Sequence, residues 1–309
     1  MIWWILGGSL IAGFVTSLTS VNLSIRIAQR IDFLDYPDSC RKTQTRPIPK
    51  LGGVAVALAF LAVTIAALLV VQGPGELQLA LSAIVPALLA GLVGYVDDRR
   101  HLSPYLRLML QGTIGALVWW LGSRVAVFDH GWLNAALVIV FVVVLINGLN
   151  LLDNSDGLAA STVVVSALGA SLIAVTSGQE LVSILGFALI GVSLGFLRRN
   201  WFPARVYLGD SGAYFLATLL AVLVIRMRPE AVDQLTGLAI GLLLVVLPIA
   251  DTSYVVLKRI RAGIHPFTAG RDHLSHRLQA RGTSVPSSVL ILQVISITGA
   301  LGAVALATI

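Results

Sequence analysis

Long apolar runs, separated by short polar segments, dominate the chain. A helix that crosses a bilayer needs about 20 mostly apolar residues. Runs of this kind lie at residues 2–23, 51–71, 77–96, 105–122, 132–149, 158–176, 180–197, 212–228, 235–257 and 286–308. The pattern predicts an all-α, polytopic integral membrane protein with about ten transmembrane helices. We expect one membrane-embedded domain over residues 1–309.

The composition supports this interpretation. Of the 309 residues, 57% are hydrophobic and 12% are charged, whereas soluble domains carry about 25% charged residues. This balance excludes a soluble enzyme and a disordered chain, and the single cysteine, Cys40, excludes a disulfide scaffold. No basic residue precedes the first run, and Arg26 and Arg30 follow it. This order indicates a retained first span rather than a cleaved signal peptide.

The basic residues predict the orientation of these spans. Of the 21 Lys and Arg residues, all but Arg124, Arg226 and Arg228 fall on one side of a ten-span arrangement. Cytoplasmic connections carry an excess of Lys and Arg, so this side is expected to face the cytoplasm, with both termini outside. The net charge of +6 therefore reflects membrane topology, and no nucleic-acid partner is expected.

Two adjacent carboxylates, Asp97 and Asp98, follow the third apolar run. They repel each other unless a cation compensates them. Neighbouring side chains on a helix diverge by about 100°, so we expect one carboxylate at a reacting centre and the other on a metal or a base. The alternative is a helix end whose charges lie in water.

Four polar residues, Asn147, Asn150, Asp153 and Asp156, recur every three positions. On a straight α-helix the first and last would lie on opposite sides, so they converge only if the helix breaks near residues 154–157. Broken helices at membrane depth are tolerated where they line a polar cavity. The alternative, Asp156 capping the next helix, leaves the other three unexplained.

Three further cytoplasmic segments carry candidate chemistry. Lys42 lies in a basic, proline-containing loop that suits phosphate binding or contact with anionic lipid. Asp210, between Gly209 and Ser211, is a hard oxygen donor of the kind that Mg²⁺ prefers, although a plain turn is an alternative. Asp251 lies inside the ninth run, where we expect it to face the bundle interior and pair with an arginine.

Residues 272–282 predict a short amphipathic helix that Asp272 caps and Gly282 ends. His273 and His276 share a face of this helix near Arg277. Phosphate contacts are the favoured interpretation, since no cysteine or second histidine pair completes a zinc site. An interfacial anchor is the alternative.

Carboxylates and basic residues on one face are the parts of phosphoryl transfer, and no Walker-type loop is present. In their order over residues 35–282, these motifs resemble the polyprenyl-phosphate N-acetylhexosamine-1-phosphate transferase family. The resemblance implies transfer of N-acetylglucosamine-1-phosphate from a UDP-sugar to undecaprenyl or another polyprenyl phosphate, with release of UMP, at the start of cell-surface glycan synthesis. It implies Mg²⁺, with Mn²⁺ as an alternative, and a homodimer in the bacterial cytoplasmic membrane with a cytoplasmic active site.

The resemblance also assigns roles to particular residues. Asp97, which would deprotonate or orient the lipid phosphate, Asp98 and Asp156 would be catalytic. Asp153 and Asp210 would bind the metal. Substrate contacts would come from Lys42, Arg107, Asn147, Asn150, Arg271, His273, His276 and Arg277. The sequence departs from the family pattern at Ser275 and Gln44, where relatives have histidine, and at Gly270, where many have aspartate.

Three alternatives are kept. The peptidoglycan branch of the family uses UDP-MurNAc-pentapeptide, but residues 47–53 and the His273-Leu-Ser-His276 segment look more like the branch that uses UDP-GlcNAc. A cation-coupled secondary transporter would suit a broken helix, but the acidic residues crowd one face and no inverted repeat is visible. A CDP-alcohol phosphotransferase would need an arginine that the segment beginning Asp156-Gly lacks.

Overall fold

The computed structural model describes residues 2–37, 44, 46–71, 73, 75–230, 232–268 and 270–308. This part of the chain forms twelve helices and one antiparallel pair of two-residue strands, in the order α1 (Ile2–Arg30), β1 (Leu34–Asp35), β2 (Ile48–Pro49), α2 (Gly52–Val70), α3 (Glu76–Arg100), α4 (Pro104–Trp120), α5 (Gly131–Leu152), α6 (Leu158–Thr176), α7 (Glu180–Asn200), α8 (Gly209–Arg226), α9 (Gln234–Leu244), α10 (Val246–Arg261), α11 (Leu274–Ala280) and α12 (Val285–Ala307). The predicted all-α class is confirmed.

The described helices that are long and apolar enough to cross a membrane are fewer than the ten predicted spans. Eight are long and apolar enough to cross a membrane, or nine if α9 and α10, bent by 76° at their junction, form one broken span. The fourth predicted span corresponds to α4, which has 17 residues and rises only about 25 Å, less than a hydrocarbon core of about 30 Å. The chain is a multi-pass membrane protein, and the ninth predicted span is bent rather than straight.

Helix α8 lies at the centre of the bundle. Within its apolar window 89% of the residues are buried, and the helix packs against α3, α5, α2 and α6. Because α3 runs antiparallel to α8, the end of α3 meets the start of α8 at the same end of the bundle. Asp97 and Asp98 therefore come close to Asp210, with the end of α5 beside them.

A close contact between two glycines places the start of α2 beside the start of α8. A Cβ atom on Gly53 would lie 2.1 Å from the backbone nitrogen of Gly212, so no larger residue fits without moving α2 or α8. The amide of Gly53 donates a hydrogen bond to the carbonyl of Leu208 at 3.0 Å. This close approach carries Lys50, just before α2, to the start of α8.

Candidate active site

A cavity of about 470 Å³ opens at this end of the bundle. Seven of the predicted site residues line it: Asp98, Asn150, Asp153, Asp156, Asp210, Arg271 and His276. They come from the ends of α3 and α5, the turn after α5, the start of α8 and the α10–α12 connection. Segments far apart in sequence thus contribute acidic, amide and basic groups to one polar pocket.

Asp98 faces this cavity and is paired with a cation. One of its carboxylate oxygens lies 3.0 Å from Nζ of Lys50, and the other accepts a hydrogen bond from the amide of Ser211 at 3.2 Å. Burial opposes the charge on Lys50, but the carboxylates of Asp98, Asp35 and Asp210 together outweigh burial and raise the pKa of Lys50. The lysine therefore stays protonated and offsets one negative charge of the cavity.

Asp97 lies on the other side of α3 and does not line the cavity. It is 3% exposed, and its oxygens accept hydrogen bonds from the amide of Leu102 at 2.8 Å, from Oη of Tyr214 at 3.1 Å and from Nη1 of Arg107 at 3.3 Å. The Arg107 side chain is 31% exposed. The two adjacent carboxylates thus serve different partners, as the helical geometry predicts.

Asp153 and Asp210 form the acidic centre of the cavity. Nδ2 of Asn150 donates a hydrogen bond to Oδ1 of Asp210 at 2.6 Å. Burial, together with the charges of Asp210 and Asp98, raises the pKa of Asp153 well above its ordinary value. Carboxylates that repel each other in this way are stabilised by a cation. Asp153 and Asp210 therefore have the donor chemistry that Mg²⁺ requires.

Within the described residues, no group of three or more His, Cys, Asp and Glu is arranged to hold a metal ion. This arrangement is compatible with Mg²⁺, which usually takes one or two protein carboxylates and completes its coordination with substrate phosphates and water.

The turn after α5 places Asp156 at the cavity. The predicted break is confirmed, since α5 ends at Leu152 and α6 begins at Leu158. Asp156 does not cap α6. Its Oδ2 instead accepts a hydrogen bond from the amide of Ala204 at 2.8 Å, and burial raises its pKa.

Asn147 lies in α5 about one turn before Asn150 and does not line the cavity. Its Nδ2 donates hydrogen bonds to Oε1 of Gln111 at 2.6 Å and to the carbonyl of Val143 at 2.8 Å. The role that the resemblance gives Asn147 as a substrate contact stays a prediction, and its hydrogen bonds join α5 to α4.

His276 reaches the cavity from α11. Its Nδ1 is buried and has no hydrogen-bond partner among the described residues. Burial, the nearby His273 and the positive charge of Arg271 lower the pKa of His276 to about 4. The imidazole is therefore neutral near pH 7.

His273 lies behind the cavity wall and is 4% exposed. Its Nδ1 lies 2.8 Å from Oδ2 of Asp251, whose Oδ1 accepts a hydrogen bond from the amide of Leu274 at 2.8 Å. The expectation that Asp251 pairs with an arginine is therefore wrong, and its partner is a histidine. This pair holds the first turn of α11, and a substrate contact by His273 stays a prediction.

Asp272 does not cap α11, contrary to expectation, because His273 precedes the helix without a side-chain cap. Asp272 instead forms two hydrogen bonds with the guanidinium of Arg259, at 2.9 and 2.8 Å. Arg277 extends over the ring of Tyr254, with its guanidinium carbon 5.1 Å from the ring centre, and does not line the cavity. The predicted Lys42 lies outside the described residues.

Some residues that shape the cavity were missed by the sequence analysis. Lys50 was counted only as a basic loop residue, although its place just before the Gly52-Gly53 pair was a signal. Tyr207 lines the cavity. Asn200 accepts a hydrogen bond from the amide of Gly157 at 3.0 Å and donates one to the carbonyl of Val206 at 2.9 Å, which positions the turn after α5.

Fold and site together define a multi-pass membrane protein with a polar cavity suited to phosphate chemistry. A model of glycosyl transferase family 4 matches residues 80–228. A probable undecaprenyl-phosphate N-acetylglucosaminyl 1-phosphate transferase of Bacillus subtilis is 28% identical, over 96% of this chain and 85% of its own length. A decaprenyl-phosphate N-acetylglucosaminephosphotransferase of Mycobacterium leprae is 29% identical, over 93% and 79%.

A phospho-N-acetylmuramoyl-pentapeptide-transferase of Moorella thermoacetica is 32% identical, but over only 61% of this chain and 64% of its own length. These comparisons bear out the resemblance to the polyprenyl-phosphate N-acetylhexosamine-1-phosphate transferase family. It is a phosphoglycosyl transferase.

Proposed function

We propose that this protein transfers N-acetylglucosamine-1-phosphate from UDP-N-acetylglucosamine to a polyprenyl phosphate and releases UMP. The observation that carries the proposal is the convergence of Asp98, Asp153 and Asp210 with Lys50 on one cavity. The relatives named for transfer of N-acetylglucosamine phosphate align over nearly the whole chain, whereas the peptidoglycan-type relative aligns over 61% of it. This difference in coverage favours UDP-N-acetylglucosamine as the donor.

In this reaction an oxygen of the lipid phosphate forms a bond to the sugar-linked phosphorus of the UDP-sugar. The bond from that phosphorus to the bridging oxygen breaks, and UMP leaves with the electron pair. Phosphoryl transfer asks the protein mainly to position the two phosphates and to balance their charge. Lys50 and Arg271 supply positive charge at the cavity, and the neutral His276 offers a nitrogen to the diphosphate or the sugar.

The two sides of α3 suggest two substrate approaches. The UDP-sugar would occupy the cavity beside Asp98. The lipid phosphate would arrive on the α4 side, where the partly exposed Arg107 is held by Asp97. Because Tyr105 and Met109 on α4 are exposed apolar residues, this side is open to the membrane. Asp97 would then orient the lipid phosphate through Arg107 or remove its proton.

We infer that Asp153 and Asp210 would hold Mg²⁺, with Mn²⁺ as an alternative. When bound, the metal would neutralise charge on the diphosphate. Asn150 fixes the orientation of Asp210 through a hydrogen bond, and Lys50 forms an ion pair with Asp98. The carboxylates of Asp153 and Asp210 would therefore be the ones available to a cation in the cavity.

The cavity is proposed to face the cytoplasm of a bacterial cell, where UDP-sugars are made. The basic residues support this orientation, since all but three lie on the cavity side of the predicted topology. The homodimer implied by the resemblance is retained as a proposal.

The experiment is UMP release by the detergent-purified protein with undecaprenyl phosphate and Mg²⁺. UDP-GlcNAc, UDP-GalNAc and UDP-MurNAc-pentapeptide are supplied separately. We expect release with UDP-GlcNAc that requires the lipid. Release with only the pentapeptide donor would assign the chain to peptidoglycan synthesis. No release with any donor from folded protein would contradict the proposal and direct attention to ion flux in proteoliposomes.

A further inference from the structure

A second cavity, of about 540 Å³, lies at the opposite end of the bundle. It is formed where α3 and α7 begin and where α4 and α8 end. Glu76, the first residue of α3, lines this cavity, whereas Asp98 near the end of the same helix lines the active site. Those 22 residues of helix separate the two cavities by about 33 Å.

The three basic residues that are absent from the active-site face, Arg124, Arg226 and Arg228, all line this second cavity. They come from the segment after α4, the last turn of α8 and the segment after α8. None of them forms an ion pair with a carboxylate in the described part of the chain. The three guanidinium groups therefore converge on one cavity without forming an ion pair among the described residues.

Arg226 is held in place by neutral groups. Its Nε donates to Oγ of Ser123 at 2.9 Å, and its Nη2 donates to Oγ of Ser82 at 2.6 Å and to the carbonyl of Leu121 at 3.1 Å. Nη1 has no acceptor among the described residues. A guanidinium fixed in this way, with donors left over, is preorganised to bind an anion.

Two carboxylates also line the cavity and limit the charge of a suitable ligand. Glu76 and Glu180 lie in the first turns of α3 and α7, where negative side chains are favoured by the helix dipole. Three guanidinium groups against two carboxylates leave a formal charge of +1. That charge matches one phosphodiester better than a dianionic phosphate.

An apolar groove continues from this cavity along α3 and α4. It has a volume of about 1050 Å³ and shares Gly122 and Arg124 with the charged cavity. Its apolar walls are formed by Leu77, Leu81, Val85, Leu117, Trp120 and Leu121. Trp120 is 73% exposed at the end of α4, a position where tryptophan is favoured at the membrane–water boundary.

We propose that these joined cavities bind an anionic phospholipid at the face of the protein opposite the active site. The phosphodiester would lie against Arg124, Arg226 and Arg228, and an acyl chain would follow the groove between α3 and α4. The charge of the first cavity, and its continuity with an apolar groove that opens to the membrane, fit a lipid rather than a water-soluble anion.

The test is native mass spectrometry of the intact protein titrated with phosphatidylglycerol or with zwitterionic phosphatidylcholine. We expect the wild-type protein to retain one phosphatidylglycerol that the Arg124→Gln/Arg228→Gln variant binds at least about tenfold more weakly. Both substituted arginines are exposed, and a matched thermal-unfolding scan confirms folding. Arg30→Gln, an exposed arginine at the other end of the bundle, should bind as the wild type does.

The charge-retaining variant Arg124→Lys/Arg228→Lys should recover most of the binding. Equal retention of phosphatidylglycerol by the wild type and the glutamine variant would overturn the proposal. So would equal binding of phosphatidylcholine, or stabilisation by inorganic phosphate that matches stabilisation by the lipid.

Discussion

At the residue scale, the pair Asp97 and Asp98 divides the site in two. Asp98 meets Lys50 at the cavity, and Asp97 holds Arg107 on the α4 side. If the UDP-sugar and the lipid phosphate approach from these two sides, substitutions on each side affect different substrates. Although the two residues are adjacent in sequence, they therefore have different roles.

We predict that Asp98→Asn lowers kcat/KM by about 100-fold or more and raises the KM for the UDP-sugar, because Lys50 loses its partner at the cavity. Arg107→Gln should instead raise mainly the KM for the polyprenyl phosphate. Steady-state kinetics with each substrate varied in turn measure the split. Arg30→Gln serves as the control, and identical effects of Asp98→Asn and Arg107→Gln on both KM values would contradict the two-sided arrangement.

A second prediction concerns the acidic centre. Chelation of divalent cations should abolish turnover, and added Mg²⁺ should restore it, because Asp153 and Asp210 leave negative charge toward the cavity that a cation must offset. Asp210→Asn should need at least about tenfold more Mg²⁺ for half-maximal rate. The measurement is a Mg²⁺ titration of UMP release. Full activity of chelator-treated protein would show that no metal acts here.

The third prediction uses the pKa of His276, which is lowered to about 4 in the folded protein. The unfolded chain binds this proton near pH 6.5, so the unfolded state takes up more protons than the folded state between these values. Stability should therefore fall as the pH drops from 6.5 toward 4. Part of this loss should disappear in His276→Gln.

Thermal unfolding in detergent at pH 7 and pH 5 measures the effect of His276. The substitution His265→Gln removes an exposed histidine of the α10–α11 connection and is the matched control. If His276→Gln and the wild type lose the same stability on acidification, His276 is not held neutral in the folded protein.

At the scale of elements, the active site depends on how α11 is joined to the turn after α5. Oγ of Ser275 donates a hydrogen bond to Oδ1 of Asn154 at 2.7 Å, across 121 residues of sequence. On the other side of α11, His273 is paired with Asp251. The serine that departs from the family pattern is thus buried and positions this helix rather than contacting substrate.

We predict that Ser275→Ala leaves the Asn154 oxygen without its donor and loosens α11. Amide hydrogen exchange over residues 274–280 should become faster, by up to about tenfold for the loss of one hydrogen bond. Thr298→Ala, on an exposed face of α12, should leave this exchange unchanged. Unaltered exchange in Ser275→Ala would mean that other contacts hold α11.

The sequence pattern predicts the existence of the helices better than their ends. The break between α5 and α6 was predictable because polar residues at three-residue spacing cannot share one face of a straight helix. The bend between α9 and α10 was missed although Pro248 is a signal for it, because proline has no N–H to bond the carbonyl of Leu244, the last residue of α9. The cap assigned to Asp272 was wrong because Arg259, distant in sequence, binds that carboxylate.

At the scale of the whole molecule, the sequence predicts several of the helix ends that line the cavity but not the contacts between their side chains. Asp98, Asp153 and Asp210 share the cavity because all three lie at helix ends on one face. That Lys50 binds Asp98, and that Asn147 turns toward Gln111, depends on the packing of α2 against α8 and of α5 against α4. One sequence carries no periodic signal for such contacts.

The convergence of the three arginines of the second cavity also could not be predicted from the sequence. Arg124, Arg226 and Arg228 marked only the less basic side of the predicted topology. Their convergence depends on the ends of α4 and α8 lying side by side, which the order of spans along the chain does not specify.

The central claim is that a sugar-linked phosphate moves from a UDP-sugar to a lipid at the cavity that Asp98 lines. The most direct measurement supplies UDP-GlcNAc labelled in the phosphate next to the sugar and follows the label into the organic phase. We predict that the label enters the lipid fraction only with polyprenyl phosphate present, and that Asp98→Asn reduces this by about 100-fold or more. Label that stays in the aqueous phase with folded wild-type protein would contradict the account.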